Sequence, residues 1–355
     1  MSLTTAFERR DLPLEHEFAI ARESAAVAET VVVRIEDEAG VTGVGAAAPS
    51  AHYGETVATV EAVLPDLLGV VEAVGDPTNL QRIEAEMERV VRANPAARAA
   101  VSIACHDYAA KRAGMPLYRY WGLDPARTVA SSFTIGLDTT ERMRAKTRDA
   151  VAAGYDVLKV KLGTERDREI VEAVRDAAPD ATVRVDANEA WTPREAVANT
   201  EWLAALDVEF LEQPVPAENP DGMRFVREHG ALPVAADESC VTLADVPEVA
   251  DIADIANVKL MKCGGPREAR RLFAAARAHG LEVMLGCMVE SNAAIAAAHH
   301  LVPLVDYADL DGSLLLADDP YDGVPMPGGD IDLAAVDRAG TGARRADAGD
   351  SANDA

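Results

Sequence analysis

Six lysines occur in the 355 residues, and four of them fall in two short runs, Lys159-Val160-Lys161 and Lys259-Leu260-Met261-Lys262. Between the runs, Asp186, Glu212 and Asp237 each follow an apolar stretch. A lysine serves as a carbon-acid base when desolvation or a neighbouring cation lowers its pKa, and Lys159 offers Lys161 that neighbour. Such a base needs a charge sink beside it. Each acid alone reads as a helix N-cap at a strand-to-helix turn. Three in succession, flanked by lysine strands, read as ligands of a shared cation, because a carboxylate buried without a partner is costly. Magnesium suits three carboxylates with water or substrate in the remaining octahedral positions.

Lys159 and Lys161 are two residues apart and so share one face of their strand, while Lys259 comes four strands later, across a closed barrel. Two bases then face each other over the metal. That arrangement suits removal of the proton α to a carboxylate by one lysine and its return to the other face by the second. Magnesium would stabilise the enediolate between the two steps. Lys262 reads as an outer residue or a helper and is given no catalytic role.

The elements that must position these groups are legible from pattern. Residues 31–44 read as a hairpin around Asp37-Glu38-Ala39-Gly40. Residues 55–68 and 79–112 carry the apolar spacing of packed helices, the second closed by Gly114 and Pro116. Strand followed by helices predicts a separate N-terminal α+β unit. From about residue 129, short apolar strands alternate with charged amphipathic helices, the signature of βα units on a parallel sheet. The expected strand ends are Phe133, Lys161, Asp186, Glu212, Asp237, Lys259, Leu285 and Asp309. Their spacing is nearly constant, and eight strands at such a step close into a barrel whose active site lies at the carboxyl ends. Five of the eight ends are the lysines and acids named above.

Composition narrows the function. A formal charge of −26 and a pI near 4.6 speak against nucleic acid and anionic membranes as partners, since both are polyanions. Acidic side chains, with arginine preferred over lysine, suit a salt-rich, halophilic cytoplasm. Cys105, Cys240, Cys263 and Cys287 form no Cys-x-x-Cys pair, which fits a reducing compartment without zinc or a disulfide framework. Charges at Glu8, Arg9, Arg10 and Asp11 leave no apolar run like a signal peptide, and no stretch is apolar enough to span a membrane. A homo-oligomer is compatible with the sequence. Gly43-Val44-Gly45-Ala46-Ala47-Ala48 matches a dinucleotide fingerprint loosely but meets Pro49 and Ser50 where a helix should open. The seven histidines show no metal-ligand spacing.

Lys159-Val160-Lys161, Asp186-Ala187-Asn188, Glu212-Gln213-Pro214, Asp237-Glu238-Ser239 and Asn257-Val258-Lys259 with Gly264-Gly265 together resemble the enolase superfamily, in its muconate lactonizing enzyme subgroup. The resemblance runs from the hairpin to about residue 330. It implies an α/β fold, a modified TIM barrel (β/α)7β with an N-terminal α+β capping domain. Its expected divisions are a cap over 1–118, a barrel over 119–312, a segment over 313–337 returning to the cap, and a disordered tail over 338–355. It also implies a Lys-x-Lys base paired with a sixth-strand lysine, and one Mg²⁺ per subunit. Asn188 and Glu238 are expected behind the ligands.

Asp309-Leu310-Asp311-Gly312 resembles the Asp-x-Asp motif of dipeptide epimerases, where two acids hold the substrate's free ammonium. Charge supports this independently, since two acids two apart share a strand face and attract an amine. Cys287-Met288-Val289-Glu290-Ser291 resembles the seventh-strand segment of the same enzymes, which adds Glu290 to the substrate-binding candidates. Arg22 lies on a loop resembling the one that carries a side-chain-binding arginine in L-Ala-D/L-Glu epimerases, and a guanidinium would suit a glutamate carboxylate. His52-Tyr53-Gly54 is expected to form a second capping loop. The chain departs from the usual pattern at Gly45-Ala46-Ala47-Ala48-Pro49, where a glutamate often follows the glycine, and this bears on cap packing and substrate choice. The expectation is a Mg-dependent dipeptide epimerase working by 1,1-proton transfer. The alternatives are muconate cycloisomerase, o-succinylbenzoate synthase or N-acylamino acid racemase chemistry on the same scaffold, and a non-catalytic binding barrel.

Overall fold

The computed structural model describes residues 2–346. Three antiparallel strands open it: β1 (Leu3–Ile20), β2 (Glu23–Asp37) and β3 (Thr42–Ala47), in the order β1-β2-β3. The expected hairpin corresponds to β2 and β3. The long β1 was not anticipated, because its outward charges mask the alternation. Helices α1 (Val57–Val74), α2 (Leu80–Val90), α3 (Pro95–Arg112) and the one-turn α4 (Leu117–Tyr120) follow. The helical stretch read over 79–112 is two helices. Asn94 turns left-handed at φ +55°, and Pro95 can only begin a helix, so the chain restarts there.

Eight parallel strands then run in sequence around one sheet: β4 (Phe133–Ile135), β5 (Val157–Lys161), β6 (Thr182–Asp186), β7 (Val208–Glu212), β8 (Val234–Ala236), β9 (Ile255–Lys259), β10 (Glu282–Gly286) and β11 (Tyr307–Asp309). The first and last meet where Ser131 bridges Ala308 and the Ser132 amide donates to the Ala308 carbonyl at 3.0 Å. This contact closes the barrel. Between the strands lie α5 (Thr140–Ala152), α6 (Asp167–Ala177), α7 (Pro193–Ala205), α8 (Pro220–His229), α9 (Val246–Ile252), the short α10 (Leu260–Cys263), α11 (Pro266–Ala278) and α12 (Asn292–His299). The eighth strand has no full helix after it, so the unit is (β/α)7β.

The helices form for local reasons that also aim the strands. Helix α7 begins with a capping box in which Thr192 and Glu195 bond each other's backbone amides, and Pro193 sits at its first position. Helix α6 buries Ile170, Val171 and Val174 at helical spacing and leaves Arg168, Glu169, Glu172 and Asp176 outward. The opposite, amino-terminal end of the barrel is plugged by Phe210, Ala235, Ile255 and Met284, with Tyr307 beside them. Arg184 lies over the rings of Phe210 and Tyr307, at 5.2 and 5.1 Å from their centroids. The cavity described below lies at the carboxyl end.

After β11 the chain returns to the cap. Leu316 bridges Leu14, and the Ala317 amide donates to the Pro13 carbonyl at 2.9 Å. The segment expected to be disordered from residue 338 is structured as far as it is described. Strand β13 (Arg344–Arg345) pairs with β12 (Tyr321–Asp322), and Thr341 is fully buried. The buried Asp107 of α3 explains this. One of its oxygens accepts the Thr341 amide at 2.7 Å, and the other accepts the Val44 amide of β3 at 2.8 Å and faces Lys111. Residues 347–355 of the expected tail lie outside the described residues. Among the described residues, no helix is long and apolar enough to cross a membrane.

Candidate active site

Register puts the chemistry in one row. Lys161 pairs with Asp186 across β5 and β6, and Asp186 with Glu212 across β6 and β7. Asp237 follows β8 by one residue, and Lys259 ends β9. Asp186, Glu212 and Asp237 are buried and offer carboxylate oxygens within 4.8 Å of one another.

The turns that hold this row are strained. Among the described residues, five non-glycines have positive φ, and three of them directly follow β6 and β7: Asn188 (+42°), Glu189 (+70°) and Gln213 (+34°). Each has a positioning contact. The Asn188 amide donates to Asp186 Oδ1 at 2.8 Å. Gln213 Oε1 accepts the Asp237 and Ser239 amides at 3.0 and 3.1 Å, which ties the end of β7 to that of β8. Glu189 accepts the Ala217 amide at 2.8 Å.

Each outer acid of the trio is bracketed by two lysines. Asp186 Oδ2 accepts from Lys161 Nζ at 2.7 Å and faces Lys159 Nζ at 3.2 Å. Asp237 Oδ2 accepts from Lys259 Nζ at 2.7 Å, while Lys262 Nζ donates to Oδ1 at 2.5 Å and to the Asp237 and Asn257 carbonyls at 2.6 and 2.9 Å. Lys161 and Lys259, each 8% exposed, reach the open mouth; Lys159 and Lys262, each 1% exposed, lie deeper, and of these two only Lys159 lines the cavity. Gly286 makes room for Lys259, since a Cβ there would lie 3.0 Å from its Cε and 2.7 Å from Asn257 Oδ1.

Electrostatics follow from these contacts. Burial pushes the Asp186 carboxyl up, but Lys161 and Lys159 outweigh it and bring it to about 2. Burial likewise opposes Lys259 and Lys262 at Asp237, and the two ammoniums hold that carboxyl well below the usual range. Glu212 goes the other way, up to about 7, through burial and the neighbouring Asp186. Burial favours a neutral Lys159, but Asp309, Glu212 and Asp186 overcome it and hold the ammonium well above its ordinary value. Lys159 therefore meets Asp309 and Glu212 at 2.8 Å as well as its strand mate's partner Asp186. Its charge is shared among three acids rather than directed at Lys161 alone.

The trio fits a hard divalent cation. Its donors are carboxylate oxygens only; Asn257 Nδ2 holds Glu212 Oε1 at 2.9 Å, and the buried Glu212 Oε2 faces the Lys159 ammonium at 2.8 Å. Carboxylate oxygen is the donor type that Mg²⁺ takes.

The other expected residues divide. Asp309 and Asp311 both line a cavity of about 350 Å³ between cap and barrel mouth, together with Lys159, Lys161, Lys259, Asn188 and Arg22. Ser132 Oγ donates to Asp309 at 2.6 Å, and the Thr134 amide to Asp311 at 2.6 Å. Burial and Asp309 raise the Asp311 carboxyl to about 6. Glu238 accepts from Asn188 Nδ2 at 3.3 Å and from Arg22 at 2.7 Å. Arg22 also reaches Glu189 at 3.4 Å, so it faces the barrel's own acids. Glu290 stands apart from the cavity lining; it is buried and accepts the Met288 amide at 3.1 Å.

Sequence reasoning left Lys262, Asn257, Glu189 and Gln213 without roles. The scarcity of lysine was a usable signal for Lys262. His52 and Tyr53 sit in the expected second loop, a single 3-10 turn over Ala51–Tyr53, where His52 lies 3.4 Å from Glu189 and Tyr53 lines the cavity.

Comparison with known proteins agrees with this geometry. Residues 3–122 match the mandelate racemase / muconate lactonizing enzyme N-terminal domain, and residues 142–345 the enolase C-terminal domain-like family. An L-Ala-D/L-Glu epimerase of Bacteroides thetaiotaomicron is 41% identical over 324 residues, covering 91% of this chain and 83% of the relative. A hydrophobic dipeptide epimerase of Roseobacter litoralis is 39% identical over 299 residues, covering 82% and 85%. The crystal structure of a dipeptide epimerase from Enterococcus faecalis, complexed with Mg and L-Leu-L-Tyr, superposes with a TM-score of 0.88 at 33% identity, covering 97% of this chain and all of the other. From its capping strands to the last barrel strand, the chain belongs to the mandelate racemase / muconate lactonizing enzyme family of the enolase superfamily.

Proposed function

We propose that the protein is a Mg-dependent dipeptide epimerase that inverts an α-carbon by 1,1-proton transfer between Lys161 and Lys259. The observation that carries this reading is the pair of mouth-facing ammoniums on Asp186 and Asp237, at opposite edges of one carboxylate trio. Asp186, Glu212 and Asp237 would hold the metal, which supplies a Lewis acid for the substrate carboxylate. One lysine takes the α-proton from its face, the planar enediolate forms, and the other lysine returns a proton to the opposite face. Lys159 keeps the acids behind Lys161 neutralised, and Asn188 and Glu238 brace the ligand loops. Asp309 and Asp311 attract the free ammonium of the dipeptide. The inverted carbon then belongs to the carboxyl-terminal residue, since the amine and the activated carboxylate sit at opposite ends of the substrate.

We read the compartment as a reducing, salt-rich cytoplasm, a reading supported by four free cysteines and the charge of −26. Activity maintained in molar KCl and lost at low ionic strength is the expected check.

The central test incubates the protein and Mg²⁺ with a dipeptide library in D₂O and follows single-deuteron incorporation at the α-carbon by mass spectrometry. Exchange of free-amine dipeptides is expected. Exchange of N-acylated amino acids with no dipeptide turnover would overturn the epimerase reading in favour of a racemase.

A further inference from the structure

We infer that the inverted residue carries an uncharged, apolar side chain rather than a carboxylate; this rests on the epimerase reading above and concerns the same cavity. Three of the cations that line the cavity, Lys159, Lys161 and Lys259, lie on its floor and are bonded to the acids of the barrel mouth. The cap contributes one more, Arg22. Its guanidinium lies 2.7 Å from Glu238 and 3.4 Å from Glu189, and it donates to the Asn188 carbonyl at 3.3 Å.

One positive charge thus already faces two carboxylates. A substrate carboxylate brought to the exposed Arg22 would be the third anion on one guanidinium, beside the buried Glu238, and a charge brought there without a free counter-ion is disfavoured. The remaining charges on the cap wall add to this. Glu23, Glu29 and Glu55 line the same cavity; Glu29 is paired with Arg9, and Glu55 accepts the Ala96 and Ala97 amides. Phe18, Ile20, Ala25, Val27, Val57 and Leu315 supply apolar surface to the wall, beside the uncharged polar Ser24, Ser50, Tyr53, Thr56 and Thr134. Val27 is 44% exposed, a large apolar surface at the rim that a ligand side chain would cover. Apolar walls with a few fixed polar groups favour an apolar ligand portion, and here the one cap cation is committed to Glu238 and Glu189.

The test measures kcat/KM for epimerisation of L-Ala-L-Leu, L-Ala-L-Phe, L-Ala-L-Glu and L-Ala-L-Lys by the Mg²⁺-loaded protein. The leucine or phenylalanine dipeptide is expected to exceed the glutamate dipeptide at least tenfold, mostly through KM. Preference for glutamate or lysine overturns the inference and leaves the epimerase assignment standing. No turnover of any of the four, with exchange of N-acylated amino acids instead, overturns both. Arg22→Met gives a second readout. It is expected to lower the leucine and glutamate dipeptides by the same factor, and selective loss of the glutamate substrate would show that Arg22 binds a substrate carboxylate after all.

Discussion

The two sides of the barrel mouth solve one problem by different routes. At Asp186, both lysines come from β5 and share a face by strand alternation. At Asp237, Lys259 ends β9, and Lys262 comes from the helical turn α10 three residues on. Both arrangements place a buried ammonium behind a mouth-facing one. The difference lies in what the buried lysine touches next. Lys159 continues to Asp309, and from there the acidic arm extends to Asp311, while Lys262 ends on two backbone carbonyls. One side therefore carries an acidic extension and the other is closed. In the proposed reaction the mouth is symmetric for proton transfer and asymmetric for substrate orientation.

The largest effects are expected at the symmetric pair. Lys161→Ala and Lys259→Ala should each lower epimerisation by about 10³-fold or more, the upper range for loss of a general acid–base group. Each variant should keep α-proton exchange from one configuration, and the two variants from opposite ones. Deuterium exchange of the LL and LD dipeptides followed by NMR checks this. Exchange from the same configuration in both variants would end the two-face assignment.

Smaller effects are expected behind them. Lys159→Met and Lys262→Met should each weaken Mg²⁺ binding or turnover by about 10- to 100-fold, as for other groups that orient metal ligands. Calorimetric titration with Mg²⁺ reads the metal part without activity. Only Lys159→Met should also raise KM for free-amine dipeptides, since it alone contacts the acidic arm; an equal rise in both variants would erase the asymmetry.

The mildest change tests that arm directly. The Asp311 carboxyl sits at about 6 instead of its ordinary 3.8, so the folded protein holds this proton more readily than the unfolded chain does. Stability contributed by this group therefore falls as pH rises from about 4 to 6, and the deficit persists at neutral pH. Asp311→Asn can keep both Thr134 contacts without the charge. It should raise stability at pH 7 by on the order of 1 to 3 kcal/mol in thermal or denaturant unfolding, while raising KM for dipeptides. In the unsubstituted protein, KM should climb as pH drops below about 6, where Asp311 loses its charge.

Much of this was legible in the sequence. Strand ends recur at a near-constant step because each βα unit has to span the same barrel height, and the trio and mouth lysines stand at those ends. Long-range partners were not legible. Arg22 was read as free to meet a substrate, yet it bonds Glu238, 216 positions away in sequence and adjacent only once the cap lies on β8. Composition misled at the C-terminus, where small polar residues pack through backbone hydrogen bonds instead of apolar area. The strand β1 was hidden because one of its faces is charged along much of its length.

Asp107 has a consequence for how the chain must be made. Its two oxygens join residue 44 to residue 341, so a carboxylate in the first third of the polypeptide waits for a residue more than 200 positions later to be synthesised. Until that residue arrives, one lone pair inside α3 has no donor. The cap can collapse early but is finished last, and a chain shortened at residue 337 keeps every lysine and acid of the barrel mouth while losing the stitch that holds the roof above them.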